Sequence, residues 1–326
     1  MAPRLRELSD SAWDQALAAF PRATAFHTSR WLRATAPGLG YDLSLQALVE
    51  DGRVVGLAPL ATRRRGPFSL MGFLPYPYVG PLASPGRLAP LLRAMRRPGT
   101  VTSRIEFPPG ADVDSVALAL AGYRVIDDTT MVVPLAGRSE DDLWAALDAE
   151  CRTAVRRAAK GGVEVVQADE DMVCRLMPAM QREAYTRNGA RPPYDERVLR
   201  AIWEAYGGTD DARFSAAVRD DRVLGVQVMI LRGDTGFGWG SATRPERGVS
   251  PSTALYWAEL RWCIERGVAR ADLVGTPTPG VARFKRQFGA IPERYVVGQA
   301  QSPAYRALSA VRGLVADRRA ARAQPA

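Results

Sequence analysis

The segment Ala47-Leu-Val-Glu-Asp-Gly-Arg-Val-Val-Gly-Leu57 returns without gaps as Ala216-Ala-Val-Arg-Asp-Asp-Arg-Val-Leu-Gly-Val226, with Ala, Val, Asp, Arg, Val and Gly at equal offsets. In each copy an apolar run meets an Asp-Gly or Asp-Asp pair and comes back as a second apolar run, which is the pattern of a β-hairpin. Two such hairpins read as two copies of one domain.

The second hairpin lies in a readable context. Upstream, Ser139 followed by Asp142 reads as a capping box opening a helix with Leu143, Leu147, Cys151, Ala154, Val155 and Ala158 on one side, ended by Gly161 and Gly162. Downstream come a strand over Gly236–Ala242, a helix over Pro251–Arg266 closed by Gly267, a short strand over Ala271–Gly275, and a helix over Val281–Phe288 closed by Gly289. Helices alternating with strands in this order make an α/β domain. Around the first hairpin the pattern is fainter, with helices near Asp10–Phe20 and Gly86–Arg96.

A chain of 326 residues has room for two such domains, and 47% hydrophobic with 24% charged residues supports a core in each. No apolar run of about 18 residues and no apolar signal segment occurs, so a soluble, cytoplasmic protein without a membrane span is expected. Cys151, Cys174 and Cys263 are odd in number and far apart, which argues against a disulfide frame or a metal site. The net charge of +9 favours anionic partners. Of 44 Lys plus Arg, only Lys160 and Lys285 are lysines, and the two cations are not chemically interchangeable.

Hairpin, strand, long helix, strand and helix in this order resemble the GNAT acyltransferase fold, and two copies in one chain resemble the Fem family of aminoacyl-tRNA-dependent transferases with its BioF-like relatives. Phe26-His27-Thr28-Ser29-Arg30-Trp31, Pro75–Leu82, Arg152–Val163 and above all Gly267–Gly289, with Arg283-Phe284-Lys285-Arg286, carry that resemblance. It implies an α/β pseudo-repeat of two tandem GNAT-like domains, each a mixed sheet flanked by helices. The first would span 1–138, with 300–326 packing back on it, and the second 139–299, carrying the donor site.

The resemblance also implies a donor-side, catalytic role for Phe284 and Lys285, where acyl donor meets acceptor. Asp272 reads as a candidate amine-orienting carboxylate, and Glu106 as a fainter one on its position after a strand-like run alone. Arg152, Arg156, Lys160, Arg187, Tyr194, Tyr78, Trp239 and Arg283 stand as substrate-binding candidates, Glu183 and Tyr185 beside them. Arg152, Arg156 and Lys160 follow at spacings of four and form one basic row on a helix, open either to anion binding or to a helix-end role. His27 reads as helix entry rather than base. Without it no Ser-His-Asp or Cys-His set can be assembled, which speaks against covalent catalysis.

Coenzyme A-dependent GNAT enzymes cradle the pyrophosphate in an Arg/Gln-x-x-Gly-x-Gly/Ala turn opening a helix. Here that stretch reads Arg244-Pro-Glu-Arg-Gly-Val-Ser-Pro251, with one glycine and a proline that removes a donor. The first expectation is therefore transfer of an aminoacyl group from aminoacyl-tRNA, the co-substrate and expected partner, to a small-molecule or peptide amine such as a cell-wall precursor or natural-product intermediate. No cofactor or metal is expected. An N-acyltransferase using acyl-coenzyme A or an acyl-carrier protein is the alternative, and a non-catalytic tandem-GNAT binding module the third reading.

Overall fold

A computed structural model describes residues 4–66, 68–72, 77–187, 189–192, 194–275, 278–303 and 305–306. In chain order these form β1 (Arg4–Glu7), α1 (Asp10–Leu17), α2 (Ser29–Thr35), β2 (Asp42–Glu50), β3 (Arg53–Arg65), β4 (Phe68–Met71), β5 (Leu82–Ala83), α3 (Leu88–Met95), β6 (Thr100–Glu106), α4 (Ser115–Leu120) and β7 (Arg124–Pro134). The second half holds α5 (Glu140–Ala146), α6 (Ala149–Lys160), β8 (Glu164–Gln167), α7 (Met177–Arg187), α8 (Glu196–Tyr206), β9 (Ala212–Arg219), β10 (Arg222–Arg232), β11 (Thr235–Thr243), α9 (Pro251–Glu265), β12 (Arg270–Asp272), α10 (Pro279–Arg286) and β13 (Ile291–Gln301).

The repeated hairpins are β2–β3 and β9–β10, and they agree down to single residues. Asp51 and Gly52 take φ of 47° and 78°, Asp220 and Asp221 48° and 58°, so both turns hold two left-handed residues, the type I′ geometry that matches strand twist. Glu50 faces Arg53 and Arg219 faces Arg222, and both ladders slip at one extra residue, Val55 and Leu224. The next residue is glycine in each copy because a helix crosses closely there. A Cβ on Gly56 would stand 3.0 Å from Leu91 Cδ2 of α3, and one on Gly225 3.1 Å from Leu255 Cδ1 of α9 and 2.6 Å from Thr243 Cγ2.

Both halves share one mixed sheet, ordered β1-β2-β3-β4-β6-β13-β7-β12-β11-β10-β9-β8, with β5 on β3. The halves exchange their last strands. β7 lies beside β12 of the second half (Val132 facing Asp272), and β13 lies beside β6 of the first (Val297 facing Glu106), while β7 and β13 pair with each other. The proposed domain boundary at 138/139 falls in the link between β7 and α5. Ser302 N donates to Val101 O, and residues 307–326 of the expected fold-back segment lie outside the described residues.

The shared core is aromatic. Tyr194 stacks on Trp239, whose ring meets Trp31 edge-on; Trp31 meets Phe26, and Phe26 leads through Tyr78 to Tyr295, at centroid distances of 4.9–6.3 Å. Phe26 and Trp31 are fully buried, and each such side chain contributes about 1.5–3 kcal/mol of burial free energy.

Two expectations need correction. The helix foreseen from Ser139 to Lys160 is two helices, because Leu147 and Asp148 are extended: Asp148 N donates to Gln287 O and Arg152 Nη1 donates to Leu147 O at 2.5 Å. The capping box of Ser139 and Asp142 is present as expected. The strand foreseen over Ala271–Gly275 stops at Asp272, since Val274 and Gly275 turn to φ of 50° and 64°. Among the described residues no helix is long and apolar enough to cross a membrane.

Candidate active site

The end of β12 gathers the chemistry. Asp272 is buried, and its Oδ1 accepts from Thr130 Oγ1 of β7 at 2.5 Å and from Val274 N at 2.8 Å. Burial raises the carboxyl pKa above the usual carboxylate range, against the pull of those two donors. This contact exists because of the strand exchange: Thr130 belongs to the first half and Asp272 to the second.

Lys285 is buried as well. Its Nζ donates to Leu273 O at 2.6 Å and to Val274 O and Gly275 O, so one ammonium holds the three carbonyls that the left-handed turn after β12 points inward. Burial lowers its pKa to about 8, with the negative charge of Asp272 pulling the other way. An arginine fork cannot place one charge at the focus of three carbonyls, which accounts for a lysine here in an arginine-rich chain.

Tyr78 completes the cluster from the first half. It is fully buried in a left-handed conformation (φ 66°), and its hydroxyl lies beside Thr130 and Asp272 without a hydrogen bond of normal geometry. Burial and the nearby carboxylate push its pKa well above the ordinary value, so the phenol keeps its proton. The site thus holds a carboxyl suited to accepting a proton, a fixed ammonium and two hydroxyls, in surroundings where charge is weakly screened.

The remaining candidates are spread out. Phe284 points away from the cluster, its ring packed against Tyr256 and Phe288 at 5.2 and 5.3 Å. Arg283 is exposed on α10. Arg152 caps the end of α5 through Ala145 O and Leu147 O, Arg156 lies 5.1 Å over the Trp144 ring, and Lys160 is exposed. The basic row is therefore tied to packing at two of its three positions.

Tyr194 and Trp239 are core rings, with Gln181 Nε2 donating to Tyr194 Oη at 3.0 Å. Arg187 ends α7 and lines a cavity of about 500 Å³ at the entry to α9, where Glu183 binds Arg244 through two contacts of 2.9 and 2.6 Å. Tyr185 is exposed. Glu106 pairs with Arg104 at 2.6 Å at the end of β6, and burial raises its pKa.

His27 is structural. Its Nδ1 accepts from Thr24 N at 3.1 Å, and its Nε2 donates to Gly80 O at 3.0 Å, while burial drives its pKa down to about 4. Thr130 was not foreseen, because no local pattern announces which strand of one half will border the other. Among the described residues no group of three or more His, Cys, Asp or Glu side chains is arranged to hold a metal.

A structure described as FemX superposes with a TM-score of 0.69 over 90% of this chain and 96% of that one, at 14% identity. The chain has the tandem GNAT fold. A tandem GNAT protein from the clavulanic acid biosynthesis pathway matches with a TM-score of 0.56 at 16% identity, covering 92% of this chain and 98% of that one. The C-terminal domain of a putative lysylphosphatidylglycerol synthetase from Agrobacterium fabrum matches at 0.56 and 13% identity, covering 94% and 97%. Within this tandem GNAT chain, residues 147–286 match the family described as Acetyltransferase (GNAT) domain. Comparison with curated protein sequences gives no match.

Proposed function

We propose that the protein is an acyltransferase that moves an aminoacyl group from aminoacyl-tRNA to an amine, at the Asp272–Lys285 cluster. The tandem GNAT fold and the GNAT match over 147–286 support acyl transfer. The observation that carries the choice of donor is the entry to α9. Arg244 is gripped by Glu183, Pro251 at the first helical position has no N–H, and Ser250 Oγ already accepts from Thr253 N at 3.3 Å. The groups that would cradle a coenzyme A pyrophosphate are thereby engaged or missing.

In the reaction the amine nitrogen attacks the ester carbonyl, the C–N bond forms, and the ester C–O bond breaks. Asp272 takes the proton lost by the amine and passes it to the departing ribose oxygen, which leaves as a hydroxyl and returns the carboxyl to its starting state. An α-amine with a pKa near 7.7–8.0 is neutral often enough that a raised carboxyl suffices as base. Thr130 fixes the orientation of that carboxyl. Lys285 holds the turn after β12 in place and puts positive charge beside the developing oxyanion.

The second reading, an N-acyltransferase using acyl-coenzyme A, draws on the 500 Å³ cavity at the same entry, lined by Arg187, Ser250 and Ser252. One assay separates them: purified protein with a panel of small amines and either labelled charged tRNA or acyl-coenzyme A. Label entering an amide, abolished by ribonuclease, is expected. Release of free coenzyme A thiol without use of the tRNA would move the assignment to the second reading.

A further inference from the structure

Between Asp51 and Glu106 the chain runs 54 residues, Gly52 to Ile105, without one acidic residue, while nine arginines fall in the same window. At the chain average of 35 acidic residues in 326, such a window would hold about six. Of the arginines whose side chains are described, only Arg87 and Arg104 pair with carboxylates, Glu50 and Glu106.

The fold concentrates the unpaired ones. Arg64 near the end of β3 and Arg97 just past α3 line one cavity of about 540 Å³ with the hydroxyls of Ser44, Thr62 and Ser69, and with Phe68, a ring left 51% exposed. Arg63 and Arg96 flank it in sequence. Arg97 also donates to Ala94 O at 3.0 Å, which steadies it at the rim of the cavity.

We infer that this face, at the C-terminal end of α3, binds the sugar-phosphate backbone of RNA, with Phe68 as a stacking platform for one base. Ser44 Oγ is engaged, donating to Glu7 Oε1 at 3.0 Å and accepting from Gln46 Nε2 at 2.6 Å. A concave site with two guanidinium groups outside any ion pair, the hydroxyls of Thr62 and Ser69 and an exposed ring matches a nucleotide strand: phosphates pair with the guanidinium forks, riboses with those hydroxyls, and a base with the ring. Resting on the donor proposed above, the RNA is the body of the charged tRNA. The cavity adjoins the Thr100 end of β6, since Ser69 pairs with Thr100, whereas Glu106 at the other end carries the Gly80 segment just past Tyr78. Seven strand residues separate the two by about 20 Å, so this face holds the arm of the tRNA and leaves its aminoacyl end free to reach Asp272.

The test measures tRNA binding by fluorescence anisotropy across a salt series for the native chain, for Arg64→Ala with Arg97→Ala, and for Phe68→Ala, with circular dichroism as the folding check. The double variant is expected to lower the slope of log affinity against log salt by about 2, and Phe68→Ala to weaken binding about tenfold at all salts. Native slope and affinity in both variants would overturn the inference, as would absence of tRNA binding by the native chain, or capture by phosphatidylglycerol vesicles that tRNA does not displace. Loss of binding in the variants with no aminoacyl transfer by the native chain removes the donor reading and leaves this surface standing. Native binding in the variants alongside continued transfer does the reverse.

Discussion

The two copies end corresponding strands on the same short pattern, Arg104-Ile-Glu106 at the end of β6 and Arg270-Ala-Asp272 at the end of β12, yet only the second is the reacting centre we propose. In the first, the arginine folds back on its own carboxylate, Arg104 to Glu106 at 2.6 Å. In the second, Glu293 of the exchanged strand β13 draws Arg270 away at 2.5 Å, and Asp272 is left to Thr130, Val274 N and the field of Lys285. One repeat thus yields a closed ion pair and a buried carboxyl that its own arginine does not close, and the strand exchange makes the difference.

The sharpest way to break this comparison is to neutralise each carboxyl. Asp272→Asn keeps the shape and is expected to lower kcat by about 10²–10⁴ with native circular dichroism, whereas Glu106→Gln stays within a few-fold of native. Equal losses would mean that the two strand ends share the work. Next in size, Lys285→Met leaves the carbonyls of Leu273, Val274 and Gly275 without their common donor. Stability is expected to fall on the order of 4 kcal/mol in denaturant unfolding, and turnover at permissive temperature to fall with it. In the native chain, turnover that depends on this ammonium declines as pH rises through about 8.

The helices beneath the two hairpins differ as well. α9 buries Glu259, both of whose oxygens lack a hydrogen-bond partner and whose pKa burial pushes up to about 7, whereas α3 carries no acid. An unfolded glutamate releases its proton near 4.5, so between that pH and about 7 the folded chain binds more protons and stability declines as pH rises. Glu259→Gln is expected to flatten that decline by roughly 3 kcal/mol at most, read from thermal unfolding at pH 5 and pH 8. The smallest effect sharpens the point on which the copies agree. Gly225→Ala and Gly56→Ala are each expected to cost about 1–2 kcal/mol, the first more because its Cβ meets Thr243 Cγ2 at 2.6 Å.

What was legible in the sequence was local. The Asp-Gly and Asp-Asp pairs set both type I′ turns, Ser139 and Asp142 set a cap, and Gly267 and Gly289 set two helix ends, because each rests on the conformational preference of one or two residues. Lys285 stood out by its rarity, and its burial gives that rarity a cause. Thr130 and Glu293 were invisible, since their roles come from pairing across more than a hundred residues or across the exchanged strand. Phe284 looked functional because it neighbours Lys285 in sequence, and Arg152 because it opens a row of basic residues spaced by four, while helix geometry turns the first to an aromatic cluster and the second to a carbonyl cap.

A crystal structure with a hydrolysis-resistant amide analogue of an aminoacylated RNA 3′ end tests the central claim most directly. The aminoacyl group is expected at the end of β12, its carbonyl carbon beside Asp272 and its oxygen toward Lys285. Density for that group beside Glu106 instead, or in the cavity at the entry to α9, would contradict the account.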